Sequence, residues 1–509
     1  MANPYMKNKL IFWLDGDLTH YCLSYYLQNK IDAELYAVID VTNKPKKFYK
    51  EQKLVNFEKV WFYHDYIKEL DKKPDLEYLS SMEEKYKLNL WEMACNDRIL
   101  YRFNDYHKFT KNEILRILEL EIRMYEDILN SIEPDFLITP ETALRPHLLF
   151  HRMCKARGIK ILMLNHANFE NYCYISQDRH KMDHIPSFDE IESANLTLED
   201  LSNRLKSFDL SKHLTNYFKL QKNSSADKIK AAFEFLFIGT NDNIDSHYTY
   251  FGRKRILVLI REILYSLKRT YRESFINKNF SYSLPKDSQF IYFPLHQEPE
   301  RSLLIAAPFF TNQIETIRHV VKSLPMGYTL VVKEHPSQGP ARGWRKISDY
   351  KEMLDIPNTI CIHPSTPSDE ILRKCSLVIS VGGTSSFEAA FFGKPSIIFS
   401  DLDYSILPFI HKLPSVNELS KLIKKGLQSK VEPIYLEKYI KILESNSFQF
   451  DILKFRVDYQ NHFYFGGNLI DVEITENQME QFLSNHKDEV ENLAEEYLKK
   501  INYQKHERL

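Results

Sequence analysis

FLITPETALRPHLLFHRMCKARGIKILML, residues 136–164, opens on an apolar run, passes through a helical pattern and closes on a second apolar run. Phe136-Leu137-Ile138-Thr139 predicts a buried strand, residues 145–157 a helix that Gly158 stops, and residues 160–164 the next strand. Strand, helix and strand in that order imply a right-handed parallel crossover, the repeating unit of a doubly wound sheet. Upstream, residues 10–14, 34–39 and 60–63 read as strands, 19–29 as an amphipathic segment and 112–131 as a helix. Downstream, a second alternating series begins at Gln289. Its strands are expected at 289–294, 328–333, 359–363, 377–381 and 396–399, and its helices at 313–323, 368–374, 385–392 and 416–428.

The expected fold is α/β, with two Rossmann-like doubly wound domains facing across a cleft, a helical insertion and a helical C-terminal tail. The division runs 1–186 for the first domain, 187–285 for a mostly helical basic insertion, 286–430 for the second domain and 431–509 for the helical extension. A chain of 509 residues, 43% hydrophobic and 27% charged, is sized for two or three cores. A net charge of −1 excludes a surface built throughout for nucleic acid. The six cysteines form no CxxC pair, and no Cys/His cluster has zinc spacing, which fits thiols in a reducing compartment. The apolar run at 10–14 is too brief for a signal peptide or a bilayer span, so a cytoplasmic location is expected. Between Arg253 and Arg272, basic residues interleave with Ile, Leu, Val and Tyr. Such a helix is able to lie on an anionic membrane surface, peripheral at its inner face. It is equally able to pack on a neighbouring domain with its charges in water, and the pattern leaves both readings open.

Three motifs follow strands of the second series. In the first, Gly382 and Gly383 lead into a helix that opens with Thr384, Ser385 and Ser386. The glycines allow a close approach of backbone to ligand, the hydroxyls add donors, and a helix N-terminus favours an anion such as a nucleotide phosphate. Ser385 with Glu388 also has the spacing of a capping box, which requires no ligand. In the second, an apolar strand ends in Lys333-Glu334-His335-Pro336, and alternation puts Lys333 and His335 on one side, suited to a phosphate or a leaving group. In the third, Pro294-Leu295-His296-Gln297-Glu298-Pro299-Glu300 places His296 and Glu300 at a strand end, either to orient a substrate or to fix a loop.

Pro-Leu-His-x-x-Pro-Glu, Lys-Glu-His-Pro and a Ser/Gly-rich turn leading to Glu-Ala-x-x-x-Gly-Lys-Pro resemble, in this order, the bacterial and archaeal capsule or surface polysaccharide biosynthesis proteins. Those proteins look like GT-B glycosyltransferases, and some transfer Kdo from its CMP-activated form. The resemblance covers residues 289–399, while the first half of the chain matches only in its alternation of strands and helices. It implies an enzyme that moves a sugar from a nucleotide-sugar donor to a surface polysaccharide or lipid-linked glycan acceptor. The second domain would hold the donor and the first the acceptor. By resemblance, His335 contacts the donor phosphate, Thr384, Ser385 and Ser386 cradle it, and Glu388 reaches the donor ribose. No cofactor and no metal are expected, since cationic side chains and the helix terminus meet the phosphate charge.

An inverting transferase also needs a base for the acceptor hydroxyl. Asp15 and Asp17, directly after the first strand, are candidates, with His20 close by and Glu141 after the strand at 136–139. Asp15 and Asp17 serve equally well as turn and helix-cap residues. The Glu-Ala-x-x-x-Gly-Lys-Pro segment also occurs in UDP-GlcNAc 2-epimerases. An epimerase-like enzyme, a CDP-polyol phosphotransferase-like enzyme and a catalytically degenerate glycan-binding scaffold are therefore the competing readings.

Overall fold

A computed structural model describes residues 7–41, 43–207, 225–238, 247–286 and 288–506. The chain forms two compact units that do not follow chain order. The first comprises Met1–His184, Asp209–Arg255 and Asn446–Leu509, the second Ile185–Phe208 and Ile256–Ser445. The segment 187–285, read as one insertion, is thus shared between the units, and the segment 431–509 divides after Ser445. Parts of that insertion, 208–224 and 239–246, lie outside the described residues.

The first unit is built on a seven-stranded sheet. Its strands are β1 (Asn8–Leu14), β2 (Ala33–Ile39), β3 (Lys59–Phe62), β4 (Phe136–Pro140), β5 (Lys160–His166), β6 (Tyr172–Ser176) and, from the C-terminal segment, β13 (Phe448–Gln449). The order is β13-β6-β5-β4-β1-β2-β3. Strands β3 to β5 across the centre run parallel, with Phe12 opposite both Ala37 and Ile138. β6 and β13 close one edge in antiparallel fashion. Parallel strands covered on both faces read as continuous apolar runs rather than alternating ones. Leu10, Phe12 and Leu14 accordingly face one core and Ile11 and Trp13 the other. The second core is covered by the helices Lys111–Ile132 and Arg145–Ala156; the first of these begins with a capping box of Thr110 and Glu113.

The second unit carries a six-stranded, wholly parallel sheet: β7 (Gln289–Pro294), β8 (Tyr328–Lys333), β9 (Thr359–Ile362), β10 (Leu377–Ser380), β11 (Ser396–Ile398) and β12 (Ile410–Lys412). The order β12-β11-β10-β7-β8-β9 is the doubly wound 3-2-1-4-5-6 arrangement, with β7 as its first strand. The five expected strands of this series are all present, and β12 is an addition the short run Ile410–Lys412 did not signal. The strand order reverses between β7 and β10 in this sheet, and between β1 and β4 in the first. Open α/β sheets bind ligands outside the carboxyl ends of strands at such points. Among the described residues, no helix is long and apolar enough to cross a membrane.

Candidate functional site

At the switch point of the second unit, three strand ends bring the predicted residues together. His296, two residues beyond β7, is buried, and its Nε2 accepts the N–H of Gly382 at 3.2 Å. The same nitrogen lies 3.4 Å from Ser380 Oγ, which accepts the N–H of Gly383 at 3.1 Å. With Nε2 accepting, the proton sits on Nδ1, 3.5 Å from the Glu300 carboxylate. The amides of Gly382 and Gly383, expected to approach a ligand, are therefore already engaged within the protein. What the glycines supply is room. A Cβ on Gly382 would overlap Ser400 Oγ, and one on Gly383 would stand 3.0 Å from His296 Cε1.

The amides left for a ligand lie one residue further on. The helix Thr384–Phe391 has Gly383 at its N-cap, and no side chain caps it. Ser385 thus sits inside the helix, and the Ser385–Glu388 capping box is not formed. The first-turn amides of Thr384 and Ser385 have no intrahelical acceptor. Tyr404 fixes this turn by donating its hydroxyl to the carbonyl of Gly383 at 2.6 Å. Ser386 Oγ is buried with no hydrogen-bond partner, while Glu388 is half-buried on the second turn.

Lys333 ends β8 with its ammonium buried, donating to Ser368 Oγ at 2.8 Å. Burial pushes its pKa down to about 8, against the opposing pull of Asp369 and Glu388. His335 accepts the N–H of Ser337 on Nδ1 at 3.2 Å, which leaves Nε2–H as its donor. Burial lowers its pKa, so the ring is neutral near pH 7; Glu300 opposes that shift and His296 adds to it.

The intervening Glu334 points the other way, into a buried network. Arg345 Nε donates to its Oε2 at 2.7 Å and Tyr350 to the same oxygen at 3.0 Å. Arg345 also pairs with Glu298 at 2.7 Å and donates to the carbonyl of His296 at 2.7 Å. Gln313 holds that loop from both sides, accepting the N–H of His296 and donating to its carbonyl. Arg345 and Gln313 carry no motif, and only their contacts identify them as the residues that position His296.

In the first unit, Asp15 and Asp17 follow β1 and Glu141 follows β4, the two strands of its switch point. Asp15 is half-buried and accepts the N–H of Asp17 at 2.8 Å. Desolvation, and then the charge of Asp17, raise its pKa to about 7. Asp17 has its lone pairs in use: it accepts from Thr19 N and Oγ1, and Arg456 pairs with it at 2.9 Å. Arg456 and the Thr19 bonds hold its pKa low despite burial. His20 is in the core, its Nε2 3.4 Å from the Tyr497 hydroxyl, and burial depresses it to about 4, leaving a neutral ring. Glu141 accepts the N–H of His166 and pairs with Arg179 at 3.2 Å. A further pair went unnoticed in the sequence. Asp40, after β2, lies 3.0 Å from His64 Nε2, and the His64 ring stacks on His247 at 3.9 Å. Their place just beyond strand ends was the only available signal.

An Asp-x-Asp triplet, Asp401-Leu402-Asp403, follows β11. Asp401 pairs with Lys412 at 3.2 Å and Asp403 is buried, accepting the N–H of Tyr404. Among the described residues, no three His, Cys, Asp or Glu side chains are grouped to hold a metal.

Residues 227–407 match the family described as capsule polysaccharide biosynthesis protein. That segment encloses all three motifs, and the resemblance read from them is borne out there. Among solved structures, the chain is similar to UDP-GlcNAc 2-epimerase from Methanocaldococcus jannaschii, at 13% identity over 86% of this chain and 99% of that one, with a TM-score of 0.24. It is similar to UDP-GlcNAc 2-epimerase from Neisseria meningitidis bound to UDP-GlcNAc, at 12% identity over 86% and 99%, TM-score 0.26. A third is the KpsC beta Kdo 2,4 transferase of Thermosulfurimonas dismutans, at 10% identity over 60% and 79%, TM-score 0.30. No curated protein matches.

Proposed function

We propose that this chain is a glycosyltransferase of surface polysaccharide synthesis, moving a sugar from a nucleotide-activated donor to a glycan or lipid-linked acceptor. The observation that carries the reading is the second unit's switch point. An uncapped helix N-terminus after β10, and the buried Lys333 ammonium and the neutral His335 with its Nε2–H after β8, stand at the ends of the two strands that flank β7. All three are donors, and a nucleotide phosphate is the ligand that uses them together.

In this reading the acceptor hydroxyl attacks the anomeric carbon while the bond from that carbon to the phosphate oxygen breaks, inverting the centre, and a base takes the hydroxyl proton. Asp15, with its pKa near 7, is the carboxylate of the first unit suited to that role. Lys333, His335 and the Thr384 and Ser385 amides meet the charge that develops on the departing phosphate, without calling on a metal. Asp17, held by Arg456 and Thr19, orients the Asp15 turn rather than exchanging protons itself.

Thermal shift with CMP, CDP, UMP, UDP, GDP and ADP on the wild type and on His335→Ala tests the donor site. A ligand that binds only the folded state raises Tm by mass action. One nucleotide is expected to stabilise the wild type and not the variant. If none stabilises either protein, the donor-site reading fails and the scaffold reading replaces it. Product analysis then separates the chemistries. Transfer gives a glycosylated acceptor and free nucleotide, phosphotransfer gives a phosphodiester, and epimerisation gives an isomerised sugar with no glycosylated acceptor.

A further inference from the structure

Asp15, Gly16 and Asp17 form the turn after β1, and an apolar side chain from the C-terminal segment lies on its glycine. Ile470 Cγ2 stands 3.3 Å from where a Cβ on Gly16 would be. The stretch that presents Ile470 is fastened at both ends. Tyr464 before it and Val472 and Ile474 after it are buried in the core of the first unit. Between them Phe465, Gly466 and Gly467 take left-handed φ angles of 49°, 67° and 87°, which turn the chain sharply. The N–H groups of Gly466 and Gly467 donate to the carbonyls of Gln460 and Tyr464, each at 2.9 Å. On the other side of Ile470, Asp471 accepts the N–H of Lys44 at 3.1 Å. Ile470 is therefore held in place by its neighbours, yet its own side chain is 51% exposed. It does not fill the core; it covers the turn.

We infer that Ile470 is a positioning residue for the candidate base: seated on Gly16, it closes one side of the turn and keeps water from the Asp15 carboxyl. Around that carboxyl stand Asp17 on the same turn and Asp40 after β2, whose N–H donates to the carbonyl of Leu14 at 2.8 Å. Arg456 and Tyr459 come from the helix Ile452–Phe463, and Tyr464 follows it. Tyr49, on the helix Asn43–Glu51, has its hydroxyl buried without a hydrogen-bond partner. Loss of water is the largest cause of the raised Asp15 pKa; the charges of Asp17 and Asp40 add to it and Arg456 opposes it. An aliphatic cover on the turn supplies that loss of water where the charged neighbours do not. A carboxyl so covered keeps its proton until near neutral pH, the range in which it accepts one from a hydroxyl most usefully. Asp15 is only half-buried, so one side stays open to a hydroxyl.

The inference rests on Asp15 as the base, and stability against pH separates their failures. Urea denaturation of the full chain between pH 4 and pH 8 compares the wild type with Asp15→Asn, Ile470→Ser and Ile470→Val. The wild type is expected to lose stability as the pH rises from 4 toward 7, because the folded state holds the Asp15 proton more tightly than the unfolded chain does. Asp15→Asn is expected to remove that fall. Ile470→Ser admits water to the carboxyl, so its fall should be shallower and should end about one pH unit lower. Ile470→Val keeps a branched apolar cover and should follow the wild type. If Ile470→Ser leaves the wild-type fall intact, whatever stability it loses at every pH alike, Ile470 is a packing residue and the inference alone is overturned. If the fall persists in Asp15→Asn, another group titrates, and the base reading fails together with the inference.

Discussion

Lys333 and Asp15 carry pKa shifts of opposite consequence. Burial lowers Lys333 to about 8, so its ammonium is present below that pH and is lost as the pH rises through it. Nucleotide affinity is therefore expected to be highest below pH 8 and to fall above it. The bound phosphate raises the Lys333 pKa in turn, which puts the midpoint at or somewhat above 8. Lys333→Met should weaken binding and flatten that profile, as titration calorimetry across pH 6.5–9.5 would show. Asp15 is raised to about 7, against about 3.9 in an unfolded chain. Its protonated form is the one the fold favours. The stability it lends is complete below the unfolded value and is lost as the pH rises through 7. As a base it works only when ionised, so kcat/KM should climb as the pH rises toward 7. Asp15→Asn is expected to abolish turnover and to remove the fall in stability between pH 4 and 7. Retention of the acid limb in that variant would assign the base elsewhere, with the Asp40–His64 pair next in line. Asp17→Asn should instead cost stability, since it breaks the Arg456 pair. Neither distinction was legible in the sequence, where Asp15 and Asp17 are two equivalent carboxylates flanking a glycine.

The glycine-rich turn shows what can be read at the scale of an element and what cannot. Strand, turn and helix were legible from the apolar run, Gly382-Gly383 and the hydroxyl-rich start, and β10 with the helix Thr384–Phe391 follows that reading closely. The start of the helix was not, because a Ser-x-x-Glu spacing does not reveal which residue leaves the helical conformation first. With Gly383 as N-cap, Ser385 falls two residues too deep to cap. Nor could sequence show that His296, 86 residues upstream of Gly382, would take its N–H. The geometry makes a specific demand on Gly382. Its missing Cβ leaves the space that Ser400 fills, and Ser400 Oγ is fixed there by the carbonyl of Val381 at 2.9 Å. Gly382→Ala is expected to destabilise the second unit by about 1–3 kcal/mol through this overlap. It should also weaken nucleotide binding by displacing the Thr384 and Ser385 amides. Adding Ser400→Gly should restore much of the loss, and urea denaturation of the single and double variants measures the coupling. If the double variant is merely the sum of its parts, the overlap is not what excludes a side chain at Gly382.

Across the whole molecule, the alternation of strands and helices announced two doubly wound sheets, because each apolar run long enough for a strand recurs with a helix between. It did not announce which sheet the last residues cover. An amphipathic pattern shows that a helix has a face to bury but says nothing of what buries it. In the structure Phe455, Tyr459, Phe463, Met479, Phe482, Leu493 and Tyr497 share one core with Leu10, Phe12 and Leu14. β13 pairs with β6, and Arg456 holds Asp17 beside the candidate base. The C-terminal segment is thus an integral layer of the first unit, and its loss should be felt at β1, more than 400 residues away in sequence. Phe455 is fully buried in that core. Phe455→Ala is expected to cost about 3–5 kcal/mol. Hydrogen exchange reads where the cost falls, since amides that open only with their own unit report that unit's stability. The slow amides of β1, β2 and β4 should exchange faster by on the order of a hundredfold or more, while those of β7, β8 and β10 keep their rates. Equal acceleration in both sheets would mean that the two units open as one, and the C-terminal layer would then stabilise the donor site as directly as it does the Asp15 turn.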